Sequence, residues 1–441
     1  MDITNLIIQL QAKVNDLTYN QLAVAKSIEL LKTGQVNYVN SISELPSATA
    51  SNGKMYYVRS LGIYYSNGTS WTTIETINYI IENYIWSWGY NSSGQLGDNT
   101  IVSKSSPVSI VGGFTDWSQI SAGSSVSLAI RQNGTAWAWG VGSEGALGDN
   151  TVVNKSSPVS VAGGFTDWCQ VEAGSHSLAV RQNGTAWAWG GNGGGQLGDN
   201  TIATKSSPVS VIGGFTDWCQ ISAGINFSLA VRQNGTAWGW GCGYCGSLGN
   251  NATANTSSPV SVVGGFTDWC QISAGNRLSV AVRTNGTAWA WGCNNCGQLG
   301  TNNITSRSSP VSVVGDFTDW CQVSAGDLFS LAVRQNGTAW GWGTGGQGQL
   351  GIGASTSHSS PVSVVGGFTD WCQISAGNNF SLAVRQNGTA WAWGEGTGGR
   401  LGNNATTIRN SPVSVAGGFC DWSQISAGIG SSLAIRKVID S

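Results

Sequence analysis

The sequence predicts an all-β chain. It reads as a seven-bladed β-propeller of four-stranded blades, closed by pairing of the C-terminal strand with the strand near Trp86. An α-helical coiled-coil stalk and a small β-meander precede it. Three observations carry this reading. A W-x-W pair recurs at Trp86, Trp137, Trp187, Trp238, Trp289, Trp340 and Trp391, at intervals of 51 residues with one of 50. Each interval holds short apolar runs punctuated by Gly, Pro and Asn-Gly, the mark of antiparallel strands. Residues 3 to 31 carry a different, heptad-like pattern.

The N-terminal pattern places Ile3, Ile7, Leu10, Val14, Leu17, Gln21, Val24, Ile28 and Leu31 at spacings of four and three. That is a coiled-coil seam with one polar position, over a domain of residues 1 to 34. The alternative is an amphipathic helix packed on the chain's own propeller. The narrow seam favours self-association. The second domain, residues 35 to 85, contains K-M-Y-Y-V-R and I-Y-Y-S-N-G-T-S-W-T-T-I. It reads as a β-meander with Asn67-Gly68 as its tight turn, then a short helical seam at Ile74, Ile77, Ile81 and Tyr84.

Residues 86 to 441 form the third domain. Four strands per unit are expected: the W-x-W run, the SPVSV run, the WCQIS run and the SLAVR run. The first unit lacks a preceding SLAVR strand, and the last ends at Ser432-Leu433-Ala434-Ile435-Arg436 with no W-x-W after it. Elsewhere Q-N-G-T joins these two strands as a hairpin. The two chain ends therefore complete one blade, which removes an exposed edge. The repeat also explains the composition: of 22 Trp, all but Trp71 fall in it.

The W-x-W-G, G-Q-L-G, S-P-V and S-A-G-x-x-x-S-L-A pattern resembles the regulator-of-chromosome-condensation repeat, over residues 86 to 436. The resemblance implies the propeller fold and leaves function open. The Y-Y-S-N-G-T-S-W segment is similar to modules of phage tail and fibre proteins. Together with the coiled coil, it implies a receptor-binding fibre of a virus or phage, located on the virion or outside the cell. Its partners would be its own copies (a trimer favoured), other virion proteins, and a host surface protein or glycan. The competing readings are a bacterial adhesin or secreted interaction propeller, a small-GTPase exchange factor, and a photoreceptor of the plant ultraviolet-B type. The arginine-flanked Trp motif of the last is absent.

Composition narrows the chemistry. Charged residues are 10% of the chain, against about 25% on average, and the net charge is −2. No basic cluster could track a nucleic-acid backbone, and no apolar run is long enough to insert in a membrane. No secretory signal opens the chain. His176 and His358 stand in unrelated loops, and no catalytic, phosphate-loop or cofactor motif is present. The chain reads as a non-enzyme without cofactor. The recurring Asp of F-x-D-W and Arg of SLAVR read as structural, the Asp as a turn cap. Cys169, Cys219, Cys270, Cys321 and Cys372 share one repeat position and read as small buried residues. Cys242/Cys245 and Cys293/Cys296 form two C-x-x-C pairs that could bind zinc, close small disulfides or stay free. The Asn-Gly acceptor sites read as turn chemistry.

Internal comparison of the units locates a candidate binding face. Q-N-G-T, S-P-V and F-x-D-W barely change; the stretches after W-x-W-G and before SLAVR change freely. Hairpin geometry puts both variable stretches at the end opposite the Asn-Gly turn. The candidate ligand-binding residues there are Tyr90, Glu144, His176, Phe227, Tyr244, Arg277, Phe329, Phe380, Glu395 and Arg400.

Overall fold

A computed structural model describes residues 80–440, together with Ser47 and four short strands upstream. Those four, Val36–Val39, Met55–Val58, Gly62–Ser66 and Trp71–Thr73, form one sheet. The first two pair in parallel, and the following pairs are antiparallel. The meander is thus present, with a parallel strand added to it. The expected coiled coil over residues 3 to 31 lies outside the described residues. The expected helical seam before the propeller is corrected: Ile81 and Tyr84 belong to the strand Ile80–Gly89. A run of β-branched and aromatic residues, I-I-E-N-Y-I-W, favours strand over helix there.

Residues 83–437 form a unit of their own, built of seven four-stranded sheets. Six follow one chain order, such as Trp218–Ala223, Phe227–Arg232, Ala237–Gly241 and Thr256–Ser261 from the axis outward. The seventh is shared between the chain ends. Trp422–Ala427 and Ser431–Asp440 come from the C-terminal side, Ile80–Gly89 and Lys104–Ser109 from the N-terminal side. The expected closure is therefore observed.

The core lies between blades. One cluster joins Leu178, Val180 and Leu197 to Trp218 and Trp240 of the next blade, and the same grouping recurs round the ring. The second Trp of each W-x-W pair is buried, and its Nε1–H needs an acceptor. It donates to a backbone carbonyl of the neighbouring blade's G-Q-L-G loop: Trp240 to Gln196 at 2.9 Å and Trp291 to Ser247 at 2.9 Å. The buried Ser of S-L-A donates to the same oxygen, as Ser228 to Gln196 and Ser279 to Ser247, both at 2.8 Å. All seven blade junctions repeat this double donation. The last glycine of the loop stands over that indole. Gly249 has φ +71°, and a Cβ there would lie 2.8 Å from Trp291 Nε1.

Two further rings tie the inner strands together. A Gln side chain of each blade accepts the next blade's backbone N–H, as Gln170 from Ile221 at 3.1 Å and Gln220 from Ile272 at 2.9 Å. A Ser hydroxyl does the same one step on, as Ser222 from Ala274 at 3.0 Å. At the Asn-Gly end of the blade the recurring Asp pairs with Arg, not with a turn: Arg232 Nε lies 2.8 Å from Asp217, and its guanidinium sits 4.2 Å from the Phe215 ring centroid. The shared cysteine position is corrected too. Register shifts between Trp168 and Gln170, and at the matching place in each inner pair, leave a bulge. Cys169, Cys219, Cys270, Cys321 and Cys372 occupy it and are exposed.

Two substitutions test the junction. Trp240→Phe keeps an aromatic ring but a smaller one and removes one donor from the Gln196 carbonyl; the lost donor alone should cost about 1–3 kcal/mol, with the cavity adding to it. Gly249→Ala should cost more, because it adds both steric overlap and left-handed strain. Urea unfolding followed by tryptophan fluorescence reads both.

Candidate functional site

The loops after W-x-W-G and those before SLAVR meet at one face. Backbone bonds join them directly: Val141 N–H to Ser125 O at 2.9 Å, Cys242 to Asn226 at 2.8 Å, Cys293 to Arg277 at 2.8 Å, and Glu395 to Asn379 at 2.9 Å. The Asn-Gly turns lie at the other end of the same hairpins. Their constancy has a local cause. Gly235 has φ +74°, and a Cβ on it would collide with the carbonyl of Thr267 in the neighbouring blade.

Two loop conformations occur round the face. Counting from the residue after W-x-W-G, position five is glycine and position six is Gln, Ala, Ser or Arg. Where position six is Gln, its side-chain Oε1 accepts the position-four N–H, as Gln196 from Gly194 at 2.8 Å and Gln298 from Cys296 at 2.9 Å. Where it is Ala146, Ser247 or Arg400, that acceptor is gone. Position four then turns left-handed: Glu144 at φ 56°, Cys245 at φ 58°, Gly398 at φ 71°. These are the three loops with a 3-10 turn.

This choice decides the cysteine chemistry. Position four of one blade meets position one of the next, as Gly398 meets Tyr90. Cys245 thereby reaches Cys293, their Cα atoms 5.0 Å apart, and the two form a disulfide between blades. The C-x-x-C pairs do not close on themselves, and Cys242 and Cys296 are free thiols. Equivalent loops of adjacent blades are thus close together. Among the described residues no three metal-ligating side chains are gathered.

The ten candidate residues share the face but not its surface. Glu144, Tyr244 and Arg277 are exposed; Tyr90 and Glu395 are half-buried. Phe227, Phe329 and Phe380 are buried between blades, which corrects the expectation that they stand exposed on the face; Phe227 still lines a cavity there. Each starts its strand with the side chain turned into the inter-blade core. Arg400 is also buried; its guanidinium reaches Glu395 at 3.1 Å and the Ile429 carbonyl at 3.3 Å. His176 is buried with Nε2 at 2.7 Å from Ser228 Oγ. Ser228 donates its proton to Gln196, as its counterparts do, so His176 Nε2 carries the hydrogen and Nδ1 is left unpartnered. Burial lowers its pKa to about 3.

Two depressions mark the face. On the axis a cavity of about 90 Å³ is lined by the A-G steps of all seven blades, with Ser124, Ile225, Asn276, Asp327, Asn378 and Ile429 around it. Between two blades lies a second, of about 180 Å³, bounded by Asn226, Phe227, Cys242, Tyr244, Asn276 and Arg277. The sequence reading passed over Glu172, which takes the place of a serine in the inner-strand ring. The residue is half-buried on the inner strand, next to Ala173 of the axial cavity, and desolvation of its carboxyl raises its pKa to about 8, with a Ser121 hydrogen bond opposing that rise. The signal was legible: V-E-A-G stands where other units have I-S-A-G or V-S-A-G.

Comparison with known proteins follows from this architecture. Residues 82–434 match the family model described as the RCC1-like domain. Ultraviolet-B receptor UVR8 of Arabidopsis thaliana is 30% identical over 188 residues, 42% of this chain and 42% of that protein. E3 ubiquitin-protein ligase HERC2 of Homo sapiens is 28% identical over 186 residues, 40% of this chain and 4% of that protein. The chain thus matches less than half the length of either relative. Prp20p of Saccharomyces cerevisiae, described with its binding properties to Gsp1p and histones, has a similar fold. The TM-score is 0.74 at 21% identity, covering 82% of this chain and 93% of that one. These are proteins of cellular organisms, which overturns the fibre reading and the virion localisation.

Glu172 and His176 give a pH test. For Glu172 the folded pKa exceeds the unfolded one, so its contribution to stability is full below about 4.5 and is lost as pH rises through about 8. His176 has the opposite sign: its contribution is present above 6.5 and lost as pH falls towards 3. Glu172→Ser, which restores the repeat residue, should therefore gain stability over the parent as pH rises from 5 to 8. His176→Phe should gain it below pH 6. Thermal melts across pH measure both.

Proposed function

The chain belongs to the RCC1-like domain family, and from that premise we propose that it is a non-enzymatic protein-binding propeller whose partner docks on the loop face. One observation carries the reading. Loop variation, the exposed Tyr244 and Arg277, and two depressions fall on that face, while a third, of about 430 Å³, opens on the Asn-Gly side among residues that repeat from blade to blade, such as Gln170, Arg181 and Gln182. The opposite face repeats the same Asn-Gly turn and Asp-Arg pair. A binding surface needs side chains that differ from place to place, and aromatic and Arg anchors dominate such surfaces.

The exchange factor that the repeat resemblance implies is a narrower form of this reading, with a small GTPase as the partner. The likeness to Prp20p, described as binding Gsp1p and histones, favours it. The loop face carries both signs of charge, Glu144 and Arg277 being exposed on it, so a partner surface of mixed charge would complement it.

Photo-crosslinking residues placed at Ser92, Ser143 and Thr397 sample the loop face, and at Asn133 and Asn234 the Asn-Gly face; all five positions are exposed. Discrete partner adducts should form from the first set alone. Adducts confined to the second set would reverse the assignment. Accelerated release of labelled GDP from a small GTPase by the full chain would favour the narrower form.

A further inference from the structure

We propose that the cavity between Tyr244 and Arg277 is an anchor for an acidic side chain on a partner's peptide segment. The inference rests on the loop-face reading and deepens it. Tyr244 is 55% exposed, and the Arg277 guanidinium lies 4.7 Å from its ring centroid. They come from different blades, so their approach is a property of the junction. The junction is fixed on both sides. Cys245, next to Tyr244 in the chain, is bonded to Cys293. The Cys293 N–H in turn donates to the Arg277 carbonyl at 2.8 Å. A continuous path of bonds therefore runs from Tyr244 to Arg277. A pair ordered before binding loses less entropy on binding.

The chemistry of the walls selects the ligand. Among the described residues Arg277 forms no ion pair, whereas Arg400 on the same face is paired with Glu395 and the SLAVR arginines with their aspartates. A guanidinium without a carboxylate offers two parallel donors to an incoming one. Phe227 forms an apolar floor, and the Tyr244 ring an apolar wall for the methylenes beside that carboxylate. Asn226 and Asn276 stand at the edge, where side-chain amides meet peptide groups. Asn276 commits its Nδ2 to Asp327 Oδ1, which leaves its own oxygen free to accept a peptide N–H. The cavity, about 180 Å³, is large enough for one Glu or Asp side chain and too small for a longer segment. The rest of the peptide would lie across the axial mouth.

The test uses the full chain under non-reducing conditions. The probe is a fluorescein-labelled peptide of alternating Glu and Leu; the controls are its Gln-for-Glu twin, a Lys-for-Glu twin and a sialylated trisaccharide. Anisotropy should give binding of the Glu peptide about tenfold tighter than the Gln twin. Arg277→Gln should erase that difference, and Arg277→Lys should keep part of it. Tyr244→Ala should weaken both peptides alike. Both side chains are exposed, so the fold should persist, and tryptophan fluorescence checks it. Equal binding of the Glu and Gln peptides, preference for the Lys peptide or the sugar, no binding of the Glu peptide, or an unchanged preference in Arg277→Gln would each overturn the anchor. None of these outcomes alters where the photo-crosslinked partner attaches, so the loop-face reading stands or falls separately.

Discussion

One carbonyl per blade junction organises this fold. It belongs to position six of the loop after W-x-W-G, and it accepts both a buried indole N–H and a buried hydroxyl from the adjoining blade. Each donor would be costly to bury unpaired. The loop must bring the carbonyl inward, so its last glycine is left-handed and lies against the indole. The acceptor is backbone, so the residue at position six is free to differ: Gln196, Ala146, Ser247 and Arg400 all present the same oxygen. The ring is held by main chain while the loop's side chains remain available for another use.

That freedom has structural consequences at the loop face. When Gln is lost from position six, position four turns left-handed and faces the next blade. In one place this brings two cysteines together; in another it sets Gly398 against Tyr90, beside the Arg400–Glu395 pair. The opposite face has no such latitude. Its turn glycines pack on neighbouring carbonyls, and its Arg side chains are sandwiched between Asp and Phe. The two faces of the propeller thus differ because the loop face holds its junctions through main chain, whereas the Asn-Gly face commits its side chains and turn glycines to them.

The architecture was legible in the sequence because a repeat states its constraints seven times. Blade number, strand order, shared closure and the face of the variable loops all followed from spacing and hairpin logic. Side-chain direction within the loops was not legible. Phe227, Phe329 and Phe380 stand in variable stretches, yet each is the first core residue of its strand. The bulge that exposes Cys169 leaves no mark in the pattern, since a small residue suits either side. The Cys245–Cys293 bond depends on the residue two places after Cys245, Ser247, through a hydrogen bond that is missing. Glu172 is legible only as a departure from the repeat, V-E-A-G for I-S-A-G, in a strand rather than in a variable loop. The fibre reading failed for another reason: it rested on a short N-terminal segment, while the family resemblance covers the whole propeller.

If the shared carbonyl is the interaction on which the ring depends, its indole donors should be the last to exchange with solvent. Hydrogen exchange of the indole N–H groups, followed by NMR on the folded chain, reads this without any ligand. Trp88, Trp139, Trp189, Trp240, Trp291, Trp342 and Trp393 should form one slow class that exchanges only on global unfolding. Trp137, Trp187, Trp238, Trp289, Trp340 and Trp391, which donate to half-buried threonine hydroxyls about 3 Å away, should exchange faster. Equal rates in the two classes, or slower exchange in the second, would contradict the account.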